Sequence, residues 1–298
     1  MLDFQIFIAT YNRPDLICNT IDSILLQKDW DFELIISDNS TNNETAKIVQ
    51  EKYGNSIRYI KRETSVNVIT HLNLILDEVD KDYFMIFHDD DTMRENMLLT
   101  IKNAFLTNPS LVAIGSNAKT IKNNETAKTW FLKDEETDHI ISNATEMARR
   151  YLEPNQIVPF PSYVYKGSIA KKLKFDITKG GKYSDVAFII DVARFGNVLF
   201  LSKPLMNYFI HNGQDSFTND FTAKLKLTRY ILKNTTISKD DKALAAYRLN
   251  NIYRENLADR RFKIMGLLSK RALILITKKD YLSFIKLSFL TVSRSIKL

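Results

Sequence analysis

Cysteine is almost missing from this chain: Cys18 is the only one among 298 residues. One thiol excludes an intrachain disulfide and any metal site built from cysteines, and it suits a reducing compartment such as the cytosol. No apolar run approaches the roughly 18 residues that a membrane-spanning helix needs. A basic region ahead of the first apolar run is lacking too. The chain passes directly into Phe4-Gln5-Ile6-Phe7-Ile8, which reads as a strand and not as a secretory leader. Anions are scarce from residue 260 onward, where ten Lys and Arg face Asp280 alone. That segment carries +9, so the chain's total of +7 leaves −2 for everything before it. The basic character belongs to the tail, and these features point to a cytoplasmic protein, peripheral on the inner face of the cell membrane if the tail engages lipid.

What is present is an ordinary globular composition, 45% hydrophobic and 26% charged. The chain is organised around Tyr83-Phe84-Met85-Ile86-Phe87-His88-Asp89-Asp90-Asp91. Five apolar residues in a row predict a buried strand, and three carboxylates follow at its carboxyl end, the edge where open α/β sheets bind ligands. Adjacent carboxylates repel one another unless a cation sits among them, and oxygen ligands suit Mg²⁺ or Mn²⁺. A solvated acidic turn is the alternative for such a cluster standing alone.

Earlier in the chain, a strand over 3–9 runs into the polar loop Thr10-Tyr11-Asn12-Arg13, and Pro14 opens a helix with Leu16, Ile17, Ile21, Ile24 and Leu25 at helical spacing. A second strand, Phe32 to Ile36, ends in Ser37-Asp38-Asn39-Ser40; a helix over 43–53, a short strand at 57–60 and a helix over 67–79 complete a β-α-β-α-β-α-β order. That order predicts a parallel sheet with right-handed crossovers, whose polar loops at 10–13, 37–40 and 88–91 meet along one edge. Further on lie an amphipathic helix over 94–107, a strand at 111–116, a weakly patterned stretch from Asn117 to Pro154, a helix from the Gly180-Gly181-Lys182-Tyr183-Ser184-Asp185 segment to Arg194, and a strand at 198–201. Asp191 reads as a solvated residue of that helix, and Phe131 and Trp130 read as core more readily than as a sugar platform.

Taken together, Ile8-Ala9-Thr10-Tyr11-Asn12-Arg13-Pro14, Phe32-Glu33-Leu34-Ile35-Ile36-Ser37-Asp38-Asn39-Ser40 and the Asp cluster resemble the nucleotide-sugar half of a family 2 glycosyltransferase of the inverting, bacterial surface-polysaccharide type. The resemblance runs over residues 3–216, through Pro159 to Val164 and on to His211 and Ser216. It implies an α/β GT-A fold, a mostly parallel, Rossmann-like sheet flanked by helices. It also implies a catalytic domain over 1–216, with a nucleotide-sugar half (1–117) and an acceptor half (118–216), and a basic helical extension over 217–298.

The resemblance further implies roles. Thr10, Tyr11, Arg13 and Asp38 match the nucleoside and diphosphate loops; an Asx turn at Asp38 and sheet-edge packing of Tyr11 are the plainer readings of those two residues. Asp91 matches the metal ligand of the DXD-type motif, Asp89 and Asp90 its ribose and water-mediated contacts, and His211 a residue that completes the metal site. His88 reads as a brace for the loop. Asp185 matches the general base, against the plainer role of helix cap; Ser184 stands where the family has Glu, and His71-Leu72 where it often has an Arg for the diphosphate. The implied reaction is transfer of a sugar, with UDP the preferred nucleotide and Mn²⁺ or Mg²⁺ as cofactor, to a hydroxyl of a glycan or lipid-linked saccharide in capsule, O-antigen or other surface-polysaccharide synthesis. A nucleotidyltransferase, or a silent binding subunit of a glycan-assembly complex, is the alternative. The segment around Leu282 to Lys297 reads as a basic amphipathic helix suited to an anionic membrane surface, with packing on the catalytic domain or on a second subunit as its alternatives; no motif in the chain favours nucleic acid.

Overall fold

A computed structural model describes residues 3–28, 30–122, 125–126, 131–132, 137–211 and 220–253. The first part of the chain follows the predicted order. It comprises β1 (Phe4–Thr10), α1 (Pro14–Leu25), β2 (Phe32–Asp38), α2 (Glu44–Tyr53), β3 (Arg58–Lys61), α3 (Val68–Asp77) and β4 (Tyr83–His88). A two-residue strand β5 (Thr92–Met93), α4 (Met97–Thr107) and β6 (Leu111–Lys122) come next. The second half holds β7 (Glu125–Thr126), β8 (His139–Ile141), α5 (Ala144–Leu152), β9 (Val164–Lys166), α6 (Gly167–Ala170), α7 (Ile177–Gly180), α8 (Ser184–Val192) and β10 (Asn197–Ile210). Helices α9 (Phe221–Asn234) and α10 (Lys242–Tyr247) follow, the latter running into a π-helical turn at Arg248–Tyr253. The tail predicted to meet a membrane lies outside the described residues, as does Trp130.

The strands form one sheet in the order β3-β2-β1-β4-β9-β6-β10-β5. Strands β3, β2, β1 and β4 are parallel, and so are β6 and β10. Strand β9 runs antiparallel between β4 and β6, so the sheet is mixed at its middle. The parallel register sets Thr10 beside Asp38 and Ala9 beside His88. This lattice brings the polar loops after β1, β2 and β4 to one edge.

Apolar side chains cover both faces. Ile6, Ile8, Met85 and Phe87 join α1 and α4 on one side; Phe7, Phe84 and Ile86 join α3, α5 and α8 on the other. Each such large side chain, fully buried, contributes about 1.5–3 kcal/mol. The two-sided burial explains the unbroken apolar run in β4, where a one-sided strand would alternate. Helices α9 and α10 add Leu227, Ile231, Leu244 and Tyr247 to the core shared by α5 and α8.

Three expectations need correction. Strand β10 continues far past residue 201, with Pro204 accommodated between two register shifts, the kind of irregular position where a sheet tolerates proline. Strand β6 likewise runs on to Lys122 through buried Ser116, Asn117 and Thr120. Asp191 is not solvated: it is buried and receives Lys179 at 2.7 Å, Arg194 at 3.0 Å and the Tyr230 hydroxyl, a cluster that fastens α8 to α7 and α9.

Candidate active site

The carboxyl ends of β1, β2 and β4 supply the first part of the site. Asp89 is buried; its two oxygens accept from Thr10 Oγ1 at 2.7 Å and Arg13 Nη1 at 2.9 Å. Arg13 Nη1 also reaches Asp90 Oδ2 at 2.8 Å, and His211 Nε2 meets the same oxygen at 2.9 Å. Burial raises the Asp89 carboxyl despite Arg13 and Thr10. It acts the same way on Asp90, but His88, His211 and Arg13 outweigh it and hold Asp90 low. The guanidinium that the sequence assigns to phosphate thus clamps the acidic turn.

Asp91 is fully enclosed. Its Oδ1 accepts from the Phe209 N–H at 3.0 Å, while Oδ2 has no hydrogen-bond partner and stands 3.5 Å from His88 Nδ1. Burial lifts the Asp91 carboxyl to about 6 against the pull of His88. Burial would lower the His88 imidazole, but the carboxylates of Asp91, Asp90 and Asp89 raise it. His88, Asp90 and Asp91 each offer a ligand atom within 4.8 Å of the others. A buried carboxylate oxygen without a partner, beside a ring nitrogen and a second carboxylate, fits a divalent cation. The nitrogen in this donor set suits Mn²⁺ at least as well as the all-oxygen preference of Mg²⁺.

His88 is therefore a candidate ligand and more than a brace, while His211 touches the group through Asp90. A further residue, Thr20, escapes sequence reading. Its hydroxyl lies 2.9 and 2.7 Å from the main-chain oxygens of Asp89 and Asp91. The available signal was a polar residue on the buried, otherwise aliphatic face Ile17, Thr20, Ile21, Ile24 of α1.

The first two loops interlock. Asn12, at φ 52°, donates its N–H to Ser40 Oγ at 2.7 Å, and its side-chain oxygen accepts from the Thr41 N–H at 3.0 Å. Tyr11 is about half exposed (51%), which leaves its ring available for stacking and excludes tight edge packing. Asp38 is enclosed: Oδ1 accepts from the Ser40 N–H at 2.8 Å in the Asx turn foreseen as its plainer reading, and Oδ2 from Tyr59 at 2.6 Å and Lys61 at 2.9 Å. Burial alone would raise this carboxyl; those hydrogen bonds outweigh it and hold it low. A base edge reaches Asp38 only if Lys61 or Tyr59 yields, a constraint invisible in a single sequence. His71, in place of the Arg common in the family, is buried on Ser37 at 2.8 Å within a network that also includes Arg62 and Glu78.

Asp185 stands in the first turn of α8. Gly181 makes the preceding turn possible: it has φ 60°, and a Cβ there would come within 2.7 Å of the Ala223 side chain. The Asp185 carboxyl is raised by burial, partly countered by the helix-start N–H groups, by the charge of His88 and by Lys182. Its Oδ1 is enclosed and has no hydrogen-bond partner. The N-cap position, Tyr183, supplies no side-chain hydrogen bond to this helix start, and the N–H groups of Asp185 and Val186 turn to the Asp185 carboxylate instead. A raised carboxylate with one unpartnered oxygen, within the electrostatic reach of the His88 group, is equipped to take a proton.

Comparison with known proteins agrees with this architecture. The chain is 27% identical over 148 residues to Protein CgeD of Bacillus subtilis (strain 168), covering 47% of this chain and 33% of that protein. It is 27% identical over 116 residues to the teichoic acid poly(glycerol phosphate) polymerase of Staphylococcus epidermidis (strain ATCC 35984), covering 38% and 16%. The chain thus spans a third or less of the length of the curated relatives it matches. Among solved structures, S. aureus TarS 1-349 in complex with UDP is similar at 20% identity and a TM-score of 0.63, over 89% of this chain and 76% of that one. GalNAc-T7 with UDP, GalNAc and Mn²⁺ is similar at 10% identity and a TM-score of 0.56, over 78% and 48%. At such identities the likeness is one of fold, the GT-A arrangement. The sequence model of Glycosyl transferase family 2 matches residues 5–169, more than half of the chain and the whole acidic edge from Thr10 to Asp91, and the chain belongs to that family.

Proposed function

We propose that the chain is a metal-dependent, inverting glycosyltransferase that moves a sugar from a nucleotide sugar, with UDP as the nucleotide, to a hydroxyl of a glycan or lipid-linked acceptor. The observation that carries this reading is the pairing of two partnerless buried carboxylate oxygens, Asp91 Oδ2 in the His88–Asp90–Asp91 group and Asp185 Oδ1 on the acceptor side. Thr10, Tyr11, Arg13, Asp38, Asp89 and Asp90 line the nucleotide side, with Asp91, Asp90 and His88 holding the cation and His211 supporting Asp90. Bound there, Mn²⁺ or Mg²⁺ supplies positive charge against the diphosphate as it leaves.

Asp185 takes the proton of the acceptor hydroxyl while that oxygen bonds to the anomeric carbon. The bond from this carbon to the diphosphate oxygen breaks, and the nucleoside diphosphate departs with the electron pair. The teichoic acid poly(glycerol phosphate) polymerase named among the relatives supports an acceptor in bacterial surface-polymer synthesis. The +9 segment from residue 260 supports docking on an anionic membrane surface. Flotation with phosphatidylglycerol liposomes tests the docking: the full chain should float, and a chain ending at residue 259 should not. Incubation with UDP-sugars, an acceptor panel and Mn²⁺ tests the reaction: free UDP supports glycosyl transfer, whereas release of pyrophosphate would replace it with nucleotidyl transfer.

A further inference from the structure

On the acceptor side, a second buried polar atom shares the condition of Asp185 Oδ1: the Tyr165 hydroxyl also has no hydrogen-bond partner. Tyr165 comes from β9 and is almost fully enclosed. Its ring stacks on Phe84 at 5.2 Å and on Tyr163 at 5.7 Å, and it meets Phe188 edge-on at 5.7 Å. Phe188 lies three residues beyond Asp185 on α8, close to one helical turn, so Tyr165 approaches the first turn of that helix from beneath. Burial raises the Tyr165, Tyr163 and Tyr151 hydroxyls, and the charge of Asp185 adds to it, so these phenols lie within electrostatic reach of the carboxylate. The Tyr151 hydroxyl is already engaged with that of Tyr247 at 3.2 Å. A carboxylate only accepts and a phenol donates, so the two orphaned atoms complement each other. Leaving both unpaired in a closed interior is costly, and native structures rarely do so.

We propose that Tyr165 is a positioning residue for Asp185: its hydroxyl donates to Asp185 Oδ1 across one bridging water, and thereby turns Oδ2 toward the acceptor hydroxyl. This rests on the reading of Asp185 as the base. The other groups within reach of that carboxylate are His88 from β4, Lys182 from the turn before α8, the N–H groups opening α8, Tyr163 just before β9 and Tyr151 from α5. None of them is altered by a change at Tyr165 that keeps the ring.

The test is a titration of ¹³C-aspartate-labelled full-length protein by NMR, with Asp185 assigned through Asp185→Asn. In Tyr165→Phe the Asp185 midpoint should move up by about one pH unit, the size expected for a lost hydrogen bond to an anion. The acid limb of kcat should move with it, while KM for the nucleotide sugar stays unchanged. Incorporating 3-fluorotyrosine at 165, a stronger donor, should move the midpoint down, and it decides the matter if Tyr165→Phe does not fold. Superimposable Asp185 titrations overturn the proposal, even if Tyr165→Phe melts earlier or turns over more slowly. A shifted titration in a protein that transfers no sugar would sink the proposed reaction and leave the Tyr165–Asp185 link standing.

Discussion

The hydroxyl of Thr20 lies 2.7 Å from the main-chain oxygen of Asp91, so α1 holds the acidic turn from behind while Arg13 and Thr10 hold its side chains. The carboxylates of this turn are fixed by neighbours that need never touch a ligand. Replacing Thr20 with Val keeps the shape and removes the donor. We expect a loss of about 1 kcal/mol in stability and a larger, several-fold loss in Mn²⁺ affinity. Chemical denaturation and calorimetric titration measure the two; unchanged Mn²⁺ binding would deny Thr20 any part in the site.

Asp185→Asn should retain nucleotide-sugar binding and lose transfer by about 10²–10⁴-fold, the usual contribution of a positioned base. Near-wild-type turnover by this variant would remove Asp185 from the chemistry.

Cation capture should be linked to protons. Asp91 sits at about 6 because of its burial, and His88 is raised by the surrounding carboxylates. Both groups must be deprotonated to bind, so Mn²⁺ affinity should rise with pH through this range. Calorimetry in buffers of different ionisation enthalpy should reveal proton release near pH 6, and a buffer-independent heat would count against the assignment. Asp91→Ala should weaken cation-dependent UDP binding.

His71 should make the fold acid-sensitive. Burial, aided by the positive charge of Arg62, pushes its imidazole down to about 4, whereas an unfolded histidine titrates near 6.5. Above that value His71 is neutral in both states and contributes no slope. As the pH falls from about 6.5 toward 4, the unfolded chain takes up a proton that the folded chain refuses, and stability declines by up to about 3 kcal/mol. In His71→Gln this slope should disappear from urea midpoints measured between those limits; an identical decline would place its origin elsewhere.

The parts of this molecule that sequence made legible were those where local chemistry and long-range placement coincide. Strand β4 is a plain apolar run buried on both faces, and the acids after it have no structural reason to be adjacent. Strand β9 was hidden because three residues between two longer strands carry no periodicity, and β10 because Pro204 mimics an ending. Helix α5 went unread in the weakly patterned stretch. Its start is fixed by Asn143, which accepts from the Glu146 N–H, and by Glu146, which reaches back to the Ser142 N–H. The fate of Asp191 depended on α7 and α9 closing over it. Likewise, Tyr59 and Lys61 reach Asp38 only through the parallel pairing of β2 with β3, a contact that no reading of one strand supplies.

Leu227, Ile231, Leu244 and Tyr247 enter the same interior as Phe188 and Tyr165, and Gly181, shortly before Asp185, leaves just enough room for Ala223 of α9. The segment 221–253 is therefore no detachable appendage. Heating should melt it together with the sheet in a single calorimetric transition, and pruning it would strip the floor from under Asp185.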